Sequence, residues 1–279
     1  MLKNWQDRCL QAWLYFSILL VVGTALLTMG YILVKGWSAI TLDFLFSAPR
    51  GMPLGKEGGV FPALTGSLAL GLLSMLIASL LGLATALYQH LYCSSPRVYS
   101  LIRLVVQCIA GIPSIVLGLF GYTFFVVSLG LGHSLLAGGL TLSLMIFPVV
   151  AINTDKALME VRPEQTLASY ALGVSRSYTF FHIIWPERKN DIISGILLGT
   201  VYAMGATAPI MLTAAVLSAP SPGSLLRPVM ALPYHLYILA SEQISMENAY
   251  GTALVLLLLL FAGYGAAFLL FGRRGEGRE

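Results

Sequence analysis

The sequence contains few charged residues. Only 10% of its 279 residues are Asp, Glu, Lys or Arg, whereas a typical soluble domain carries roughly 25%. Hydrophobic types make up 57% of the chain, and the mean hydropathy is +0.83. Such a chain cannot cover a water-facing surface with polar groups, which excludes a soluble enzyme, a disordered tail and a secreted disulfide scaffold. The composition indicates an integral membrane protein.

Metal-binding and catalytic patterns are also missing. The three cysteines (Cys9, Cys93 and Cys108) are an odd number with no spacing typical of a disulfide framework or a metal site. The sequence has no His-Glu-x-x-His motif and no pair of aspartates inside an apolar run. The nearest match to a phosphate-binding loop, Gly55-Lys56, continues with Glu57 where Ser or Thr would coordinate magnesium. We therefore expect no metal, no cofactor and no enzymatic activity in this chain.

Five long intervals carry no charge: 9–34, 58–96, 104–154, 192–226 and 248–272. Each is longer than the ~20 apolar residues that a helix needs to cross a bilayer. The third interval is too long for one helix, and glycines and small polar residues at 130–134 indicate a turn within it. The sequence thus predicts an all-α fold with six transmembrane helices, at about 12–34, 63–88, 103–128, 134–152, 192–217 and 250–271. We expect residues 1–279 to form one membrane-spanning domain.

The basic residues predict the orientation. Of the 16 Lys and Arg residues, only Lys35, Arg50, Lys56 and Arg227 fall on one side of the predicted membrane, and all the others fall on the opposite side. Because cytoplasmic loops carry the excess of Lys and Arg, both termini are expected in the cytoplasm. The net charge of +4 then follows from topology, and no nucleic-acid partner is needed.

The predicted spans lack ionisable residues in their interiors. Proton-coupled carriers usually place such groups inside the bilayer, where they are costly and functional. If the chain takes part in active transport, a partner therefore has to supply the energy. A stand-alone secondary transporter that coordinates a cation through broken-helix carbonyls remains an alternative.

Two prolines interrupt predicted spans. Pro113 and Pro209 each remove a backbone donor, and each has small or hydroxyl-bearing neighbours. Kinks that only shape helix packing are one interpretation. Breaks that line a pathway are the other, since unwound backbone is where membrane proteins commonly receive anions. The candidate pathway residues are Pro113, Ser114, Gly205, Thr207 and Pro209.

The segment 153–190 is predicted to form a cytoplasmic loop with two short helices. Pro163 suits the first turn of a helix, and Gly173 is a natural stop. Ser175 can cap a second helix that runs to about residue 184, and Pro186 is expected to close it. The two helices would make a compact knob, for which an ordinary amphipathic connector is the alternative interpretation.

The spacing of this loop resembles the coupling loop of ABC-transporter permeases. Leu167-Ala168-Ser169, then Gly173, then Ile183 and Pro186 match the family pattern in spacing. Two identities depart, since Leu167 stands where Glu is usual and Trp185 where Leu is usual. The segments 58–67, 110–121, 147–150 and 205–213 look like the phosphate-importer branch, specifically its A-type membrane subunit, over about 58–271. Tyr202, just before the segment 205–213, and Ala206 within it occupy the positions of the family's usual Arg and Glu.

The resemblance implies a permease subunit of a type I ABC importer for inorganic phosphate in the cell inner membrane. Its expected partners are a homologous permease subunit, two ATP-binding cassette subunits that hydrolyse ATP, and an extracytoplasmic phosphate-binding protein. The residues implied to couple to the ATPase are Leu167, Ala168, Ser169, Gly173, Ile183 and Pro186. The same architecture importing another oxyanion, such as tungstate, molybdate or sulfate, remains the nearest alternative.

Overall fold

The computed structural model describes residues 2–271, which are mostly helical. The short antiparallel strands β1 (Pro49–Arg50) and β2 (Glu57–Gly58) form a hairpin. Three π-helical segments lie at Tyr88–Tyr92, Tyr122–Ser128 and Phe180–Ile184. The α-helices are α1 (Leu2–Trp37), α2 (Leu42–Phe46), α3 (Phe61–Leu87), α4 (Pro96–Ala110), α5 (Ser114–Gly121), α6 (Leu135–Met159), α7 (Pro163–Ala171), α8 (Arg176–Thr179), α9 (Trp185–Met204), α10 (Ala208–Thr213), α11 (Leu232–Ser241) and α12 (Met246–Phe271).

Four continuous helical stretches are long and apolar enough to cross a membrane: Leu10–Trp37, Phe61–Tyr92, Leu135–Met159 and Met246–Leu269. They confirm the predicted helices at 12–34, 63–88, 134–152 and 250–271, with ends shifted by several residues. The largest shift is in α6, which continues to Met159 and so takes up the start of the predicted cytoplasmic loop.

The prediction of a single helix over 103–128 is wrong. The chain instead forms α4 and α5, which meet at an angle of 96° across residues 111–113. Pro113 is in an extended conformation (ψ 137°), so the helix cannot continue through it. The predicted helix 192–217 is also broken, because α9 ends at Met204 and α10 covers only Ala208–Thr213. Six continuous spanning helices are therefore not confirmed in the described residues.

The helices have two ends that differ in charge. At the basic end, the segment after α3 meets the α7–α8 region, where the Tyr92 hydroxyl lies 3.1 Å from Ser177 Oγ. At the hairpin end, Asn248 Nδ2 of α12 donates to the carbonyl oxygens of Gly55 (2.9 Å) and Lys56 (3.0 Å). Ser134 N, just before α6, donates to Thr213 O at the same end (3.1 Å). This arrangement places loops where the distribution of basic residues predicted them.

The core lies between α3, α6 and the α9–α10 pair. Its largest cluster includes Leu70 of α3, Leu142 and Ile146 of α6, and Ile210 of α10, all nearly inaccessible. Small residues allow the backbones to approach. At Gly82, for example, an added Cβ would lie 2.7 Å from Val150 Cγ1. Apolar side chains on α1 are largely exposed in the isolated chain, which suits a helix solvated by lipid.

Candidate functional site

The elbow at the basic end is formed by α7, the turn after it and α8. Pro163 occupies the first turn of α7, and Gly173 adopts φ +77° in the turn, a conformation that side chains with a Cβ rarely adopt. Ser175 caps α8, its side chain accepting a hydrogen bond from Tyr178 N (3.3 Å). The two short helices and the turn between them lie where the sequence predicted them.

A buried hydroxyl pair joins the two arms of the elbow. Ser169 Oγ of α7 lies 2.7 Å from Thr179 Oγ1 of α8. Thr179 Oγ1 also donates to Ser175 O (3.1 Å), so the Ser169 hydroxyl is the donor to Thr179. Ser169 is only 4% exposed, and Thr179 is fully buried. The hydroxyl of Ser169 therefore links the two arms and is buried inside the elbow.

The prediction that Pro186 closes the second helix is wrong. Helix α8 runs through the π-helical segment Phe180–Ile184 directly into α9, and Pro186 lies in the first turn of α9. In the π-helical segment the Trp185 N–H bonds to Phe180 O, five residues back, which changes the register just before the proline. The elbow is thus joined without interruption to α9. Ile183 is partly buried and Pro186 exposed on this continuous helix.

Apolar side chains remain uncovered on the elbow. Leu167 is 65% exposed, Leu172 83% and Phe181 63%, and Ala168 is exposed between them. We call Leu167, Ala168, Leu172, Tyr178 and Phe181 the elbow patch. Four of these residues are large apolar or aromatic side chains exposed within one short segment of the chain, which is typical of an interaction surface.

Arg188 ties the base of the elbow to α6. Its guanidinium lies 3.0 Å from Glu160 Oε2 and 3.5 Å from Asp191 Oδ2, and it also donates to the Glu160 carbonyl oxygen. Glu160 directly follows α6, whereas Arg188 is in the first turn of α9. The entry and exit of the segment 160–188 are thereby held together.

The candidate pathway residues lie at two helix breaks. Pro113 and Ser114 form the junction of α4 and α5, with Pro113 exposed and Ser114 partly buried. Gly205 and Thr207 lie between α9 and α10, whose first turn contains the buried Pro209. The structure therefore shows interruptions where the sequence predicted kinks, and it leaves Pro113 and Gly205 accessible.

The short helices after the two breaks are packed against each other. A Cβ added to Gly118 of α5 would lie 2.9 Å from Pro209 Cα and 3.1 Å from Ala208 O of α10. This close approach requires glycine at 118, a residue that sequence reasoning did not select. Beside the second break, Tyr202 is 52% exposed, while Ala206 packs against the core. Neither side chain brings a charge to this region.

Sequence reasoning also missed a cleft at the basic end that includes charged residues in its lining. The cleft has a volume of ≈ 90 Å³ and lies between α4, α6 and the segment after α3. Its charged residues, Arg103, Asp155 and Lys156, lie at the edges of apolar intervals and so read as ordinary span boundaries. The amphipathic pattern of α4 could have indicated the cleft, but the high overall hydropathy of the region hid this pattern. No group of three or more His, Cys, Asp or Glu suited to a metal occurs within residues 2–271.

Comparison with known proteins gives consistent matches. The family model described as "Binding-protein-dependent transport system inner membrane component" matches residues 78–274. A probable phosphate transport system permease protein PstA of Methanocaldococcus jannaschii is 35% identical over 210 residues, covering 74% of each chain. The phosphate transport system permease protein PstA of Mycobacterium leprae is 32% identical over 267 residues, covering 93% of this chain and 87% of the relative.

The fold is similar to that of solved transporter subunits. A chain of the MetNI methionine ABC transporter, in an inward-facing conformation, superimposes with a TM-score of 0.62 at 16% identity. The match covers 75% of this chain and 93% of that chain. At this level of identity the likeness concerns the fold alone.

Proposed function

Since the chain belongs to the family of binding-protein-dependent transport system inner membrane components, we propose that it is the permease subunit of an ATP-driven importer for inorganic phosphate. The observation that carries the substrate is the similarity to relatives named phosphate transport system permeases, over 93% of this chain in one case. The chain is a multi-pass membrane protein of a transport system. Hydrolysis of ATP is assigned to separate subunits.

The proposed topology has six crossings, both termini in the cytoplasm and the inner membrane as location. Four crossings are continuous helices, and the α4–α5 and α9–α10 pairs would be the two broken ones. The basic end then faces the cytoplasm, in agreement with the positive-inside rule. The hairpin end faces the outside, where a phosphate-binding protein would deliver its ligand.

The proposed assembly contains a homologous permease, two ATP-binding cassette subunits and the external phosphate-binding protein. Phosphate would cross between the two permeases, and lipid would surround them. The elbow patch supports docking of an ATP-binding subunit, because Leu167 and Leu172 are large apolar side chains that would otherwise be exposed to water. Ser169 and Gly173 would set the shape of the docking element, and Ala168 would lie in the contact.

Helical continuity supports a path from the elbow to the pathway. Displacement of the elbow would carry α8, the π-helical segment and α9 with it, because no break separates Arg176 from Met204. The break at Gly205 then lies at the far end of this helix. There α10 packs against α5 through Pro209 and Gly118, so movement would change the opening between the two broken spans. Pro113, Ser114, Gly205 and Thr207 would line it.

Import of another oxyanion is the second candidate. It is favoured by Tyr202 and Ala206, which replace the charged residues expected beside the second break. Uptake of radiolabelled phosphate by proteoliposomes that contain the full complex, competed with sulfate, molybdate and tungstate, separates the two. We expect unlabelled phosphate to be the strongest competitor. Absence of phosphate uptake, with uptake of another oxyanion, would reject phosphate, whereas uptake by this chain alone without ATP would reject the importer.

The coupling role is tested by placing a charge on the elbow patch. Ala168→Glu should prevent stable association with the ATP-binding subunit, since a carboxylate would be buried in an apolar contact without a partner. Ala240→Glu makes the same change at an exposed position of the hairpin end and should have no effect on association. Affinity co-purification measures both variants. Equal recovery of the ATP-binding subunit with the two variants would contradict docking at the elbow.

A further inference from the structure

Helix α4 lies at a steep angle to the helices that cross the membrane. It meets the segment Ser114–Ser128 at 96°. That segment runs antiparallel to α6, because Gly121 lies against Thr141 and, further along, Phe125 clusters with Ala137. Since α6 is one of the helices long and apolar enough to span a membrane, α4 runs across the direction of the span.

Helix α4 stays at the level of the last turns of α6. Near its start, the Tyr99 hydroxyl donates a long hydrogen bond to Asp155 Oδ2 (3.5 Å). Near its end, Gln107 still lines one cleft with residues between 151 and 159 of α6. Asp155 and Lys156 are the first charges after a long apolar run, and charged groups are costly in hydrocarbon. They therefore mark the level at which α6 leaves the bilayer core, and α4 lies at this boundary.

Helix α4 has three faces, since successive residues are about 100° apart around a helix. One face packs on the protein, where Val106 is only 5% exposed. A second face is polar and exposed, with Ser100, Arg103 and Gln107. The third face is exposed and apolar. We call this third face the α4 stripe, and it consists of Val98, Leu101, Leu104, Val105 and Cys108.

The chemistry of these faces fits a lipid surface. On the α4 stripe Leu101 is 59% exposed and Leu104 56%, and a helix with one apolar and one polar face at the membrane boundary is typical of interfacial helices. The charged residues of α4 are Arg97 and Arg103, with no Asp or Glu, so its charge complements the phosphates of lipid headgroups. Arg97 lies beside the stripe in the first turn, and its methylene stem can follow apolar surface while the guanidinium reaches the headgroups.

We propose that α4 is an interfacial helix that lies in the plane of the membrane at the basic end, with the α4 stripe among the acyl chains and Arg97 and Arg103 at the level of the lipid phosphates. The number of crossings stays the same, because α5 and the π-helical segment Tyr122–Ser128 still carry the chain from the basic end to the hairpin end. Lipid contact then holds the first break at a fixed depth. This role of α4 does not depend on which anion is transported.

The native Cys108 on the α4 stripe provides the test. A nitroxide is attached to it after Cys9→Ser and Cys93→Ser, and the full complex is placed in nanodiscs of phosphatidylcholine and phosphatidylglycerol. Power-saturation EPR compares relaxation by oxygen, which concentrates among acyl chains, with relaxation by a water-soluble nickel chelate. We expect oxygen to be the stronger relaxant at residue 108. The matched control is Gln107→Cys with all three native cysteines replaced by Ser. Its label lies on the polar face, so the nickel chelate should be the stronger relaxant there.

A second pair of labels makes the test independent of the end of α4. Leu101→Cys lies on the α4 stripe and Ser100→Cys on the polar face, and both positions are exposed. We expect the same contrast between them as between residues 108 and 107, because a helix in the plane keeps one depth along its length.

Three results would overturn the proposal. Little relaxation by either reagent at residues 101 and 108 would mean that a protein, such as the second permease, covers the α4 stripe. Stronger relaxation by the nickel chelate at these residues would place the stripe in water. Oxygen relaxation that rises from residues 100 and 101 to residues 107 and 108, whichever face carries the label, would mean that α4 dips into the bilayer as an arm of the span.

Discussion

The contact between α5 and α10 yields the sharpest test of the candidate pathway. In Gly118→Ala, the new Cβ would meet Pro209 Cα at 2.9 Å and Ala208 O at 3.1 Å. Both are backbone atoms at the start of a helix, so they cannot rotate away as a side-chain tip can. One of the two helices has to move.

The size of the effect follows from these distances. Carbon atoms pack best at about 3.5–4.0 Å, so the helices must separate by about 0.6–1.1 Å. Inserting a methyl group into a well-packed region typically costs about 1–3 kcal/mol. We expect Gly118→Ala to lower the free energy of unfolding by that amount and to reduce phosphate uptake, because the two helices that would line the pathway no longer fit.

Gly111→Ala is the matched control for this experiment. Gly111 lies on the other side of the first break, and its added Cβ would meet nothing nearer than Cys108 O at 3.5 Å, an ordinary contact. Its φ of −83° is accessible to alanine. Denaturant titration in detergent gives the stability of both variants, and vesicle uptake gives their activity. If Gly118→Ala matches Gly111→Ala in both assays, the contact between α5 and α10 has no role in stability or transport.

Two further predictions concern the hairpin end. Gly66→Ala should destabilise the protein by about 1–3 kcal/mol in a thermal or denaturant assay, because its Cβ would overlap the Met230 carbonyl oxygen, whereas Gly30→Ala, with open space around it, should not. Burial lowers the pKa of His235 from 6.5 to about 4. The neutral ring therefore stabilises the fold above about pH 6.5, and this contribution is lost as the pH falls toward 4. We expect about 2 kcal/mol less stability at pH 5 than at pH 7.5, absent in His235→Gln, and a wild-type stability that does not change over this range would contradict the reasoning.

The spanning helices that the sequence predicted correctly are those whose existence depends on length and hydropathy alone. Helices α1, α3, α6 and α12 are uninterrupted apolar runs, and no tertiary contact is needed to explain them. For the two broken spans the sequence showed where the prolines lie, but not whether each proline would kink the helix or break it. A proline in a helix can give a slight kink or a full break, and the 96° angle between α4 and α5 depends on what each half packs against.

The candidate site was predictable to the extent that its residues are neighbours in sequence. The elbow depends on Gly173 and Ser175, whose local chemistry sets the turn and the cap. Its continuation past Pro186 was not predictable, because a proline in the first turn of a helix looks the same as a proline that follows one. The cleft was missed because Gln89, Arg103 and Asp155 come from three separate segments, and only the fold brings them together.

One uninterrupted helix from Arg176 to Met204 connects the elbow to the break at Gly205. At about 1.5 Å per residue it is about 43 Å long, so a swing of about 5° at one end shifts the other by about 4 Å. If an ATP-binding subunit docks at the elbow as proposed, a small angular displacement of the elbow is therefore enough to move the break at Gly205. Transmission along this helix depends on its stiffness, and the π-helical segment Phe180–Ile184 is where its hydrogen-bond pattern departs from that of an α-helix. We expect glycines inserted there to uncouple ATP hydrolysis by the proposed partner from phosphate uptake.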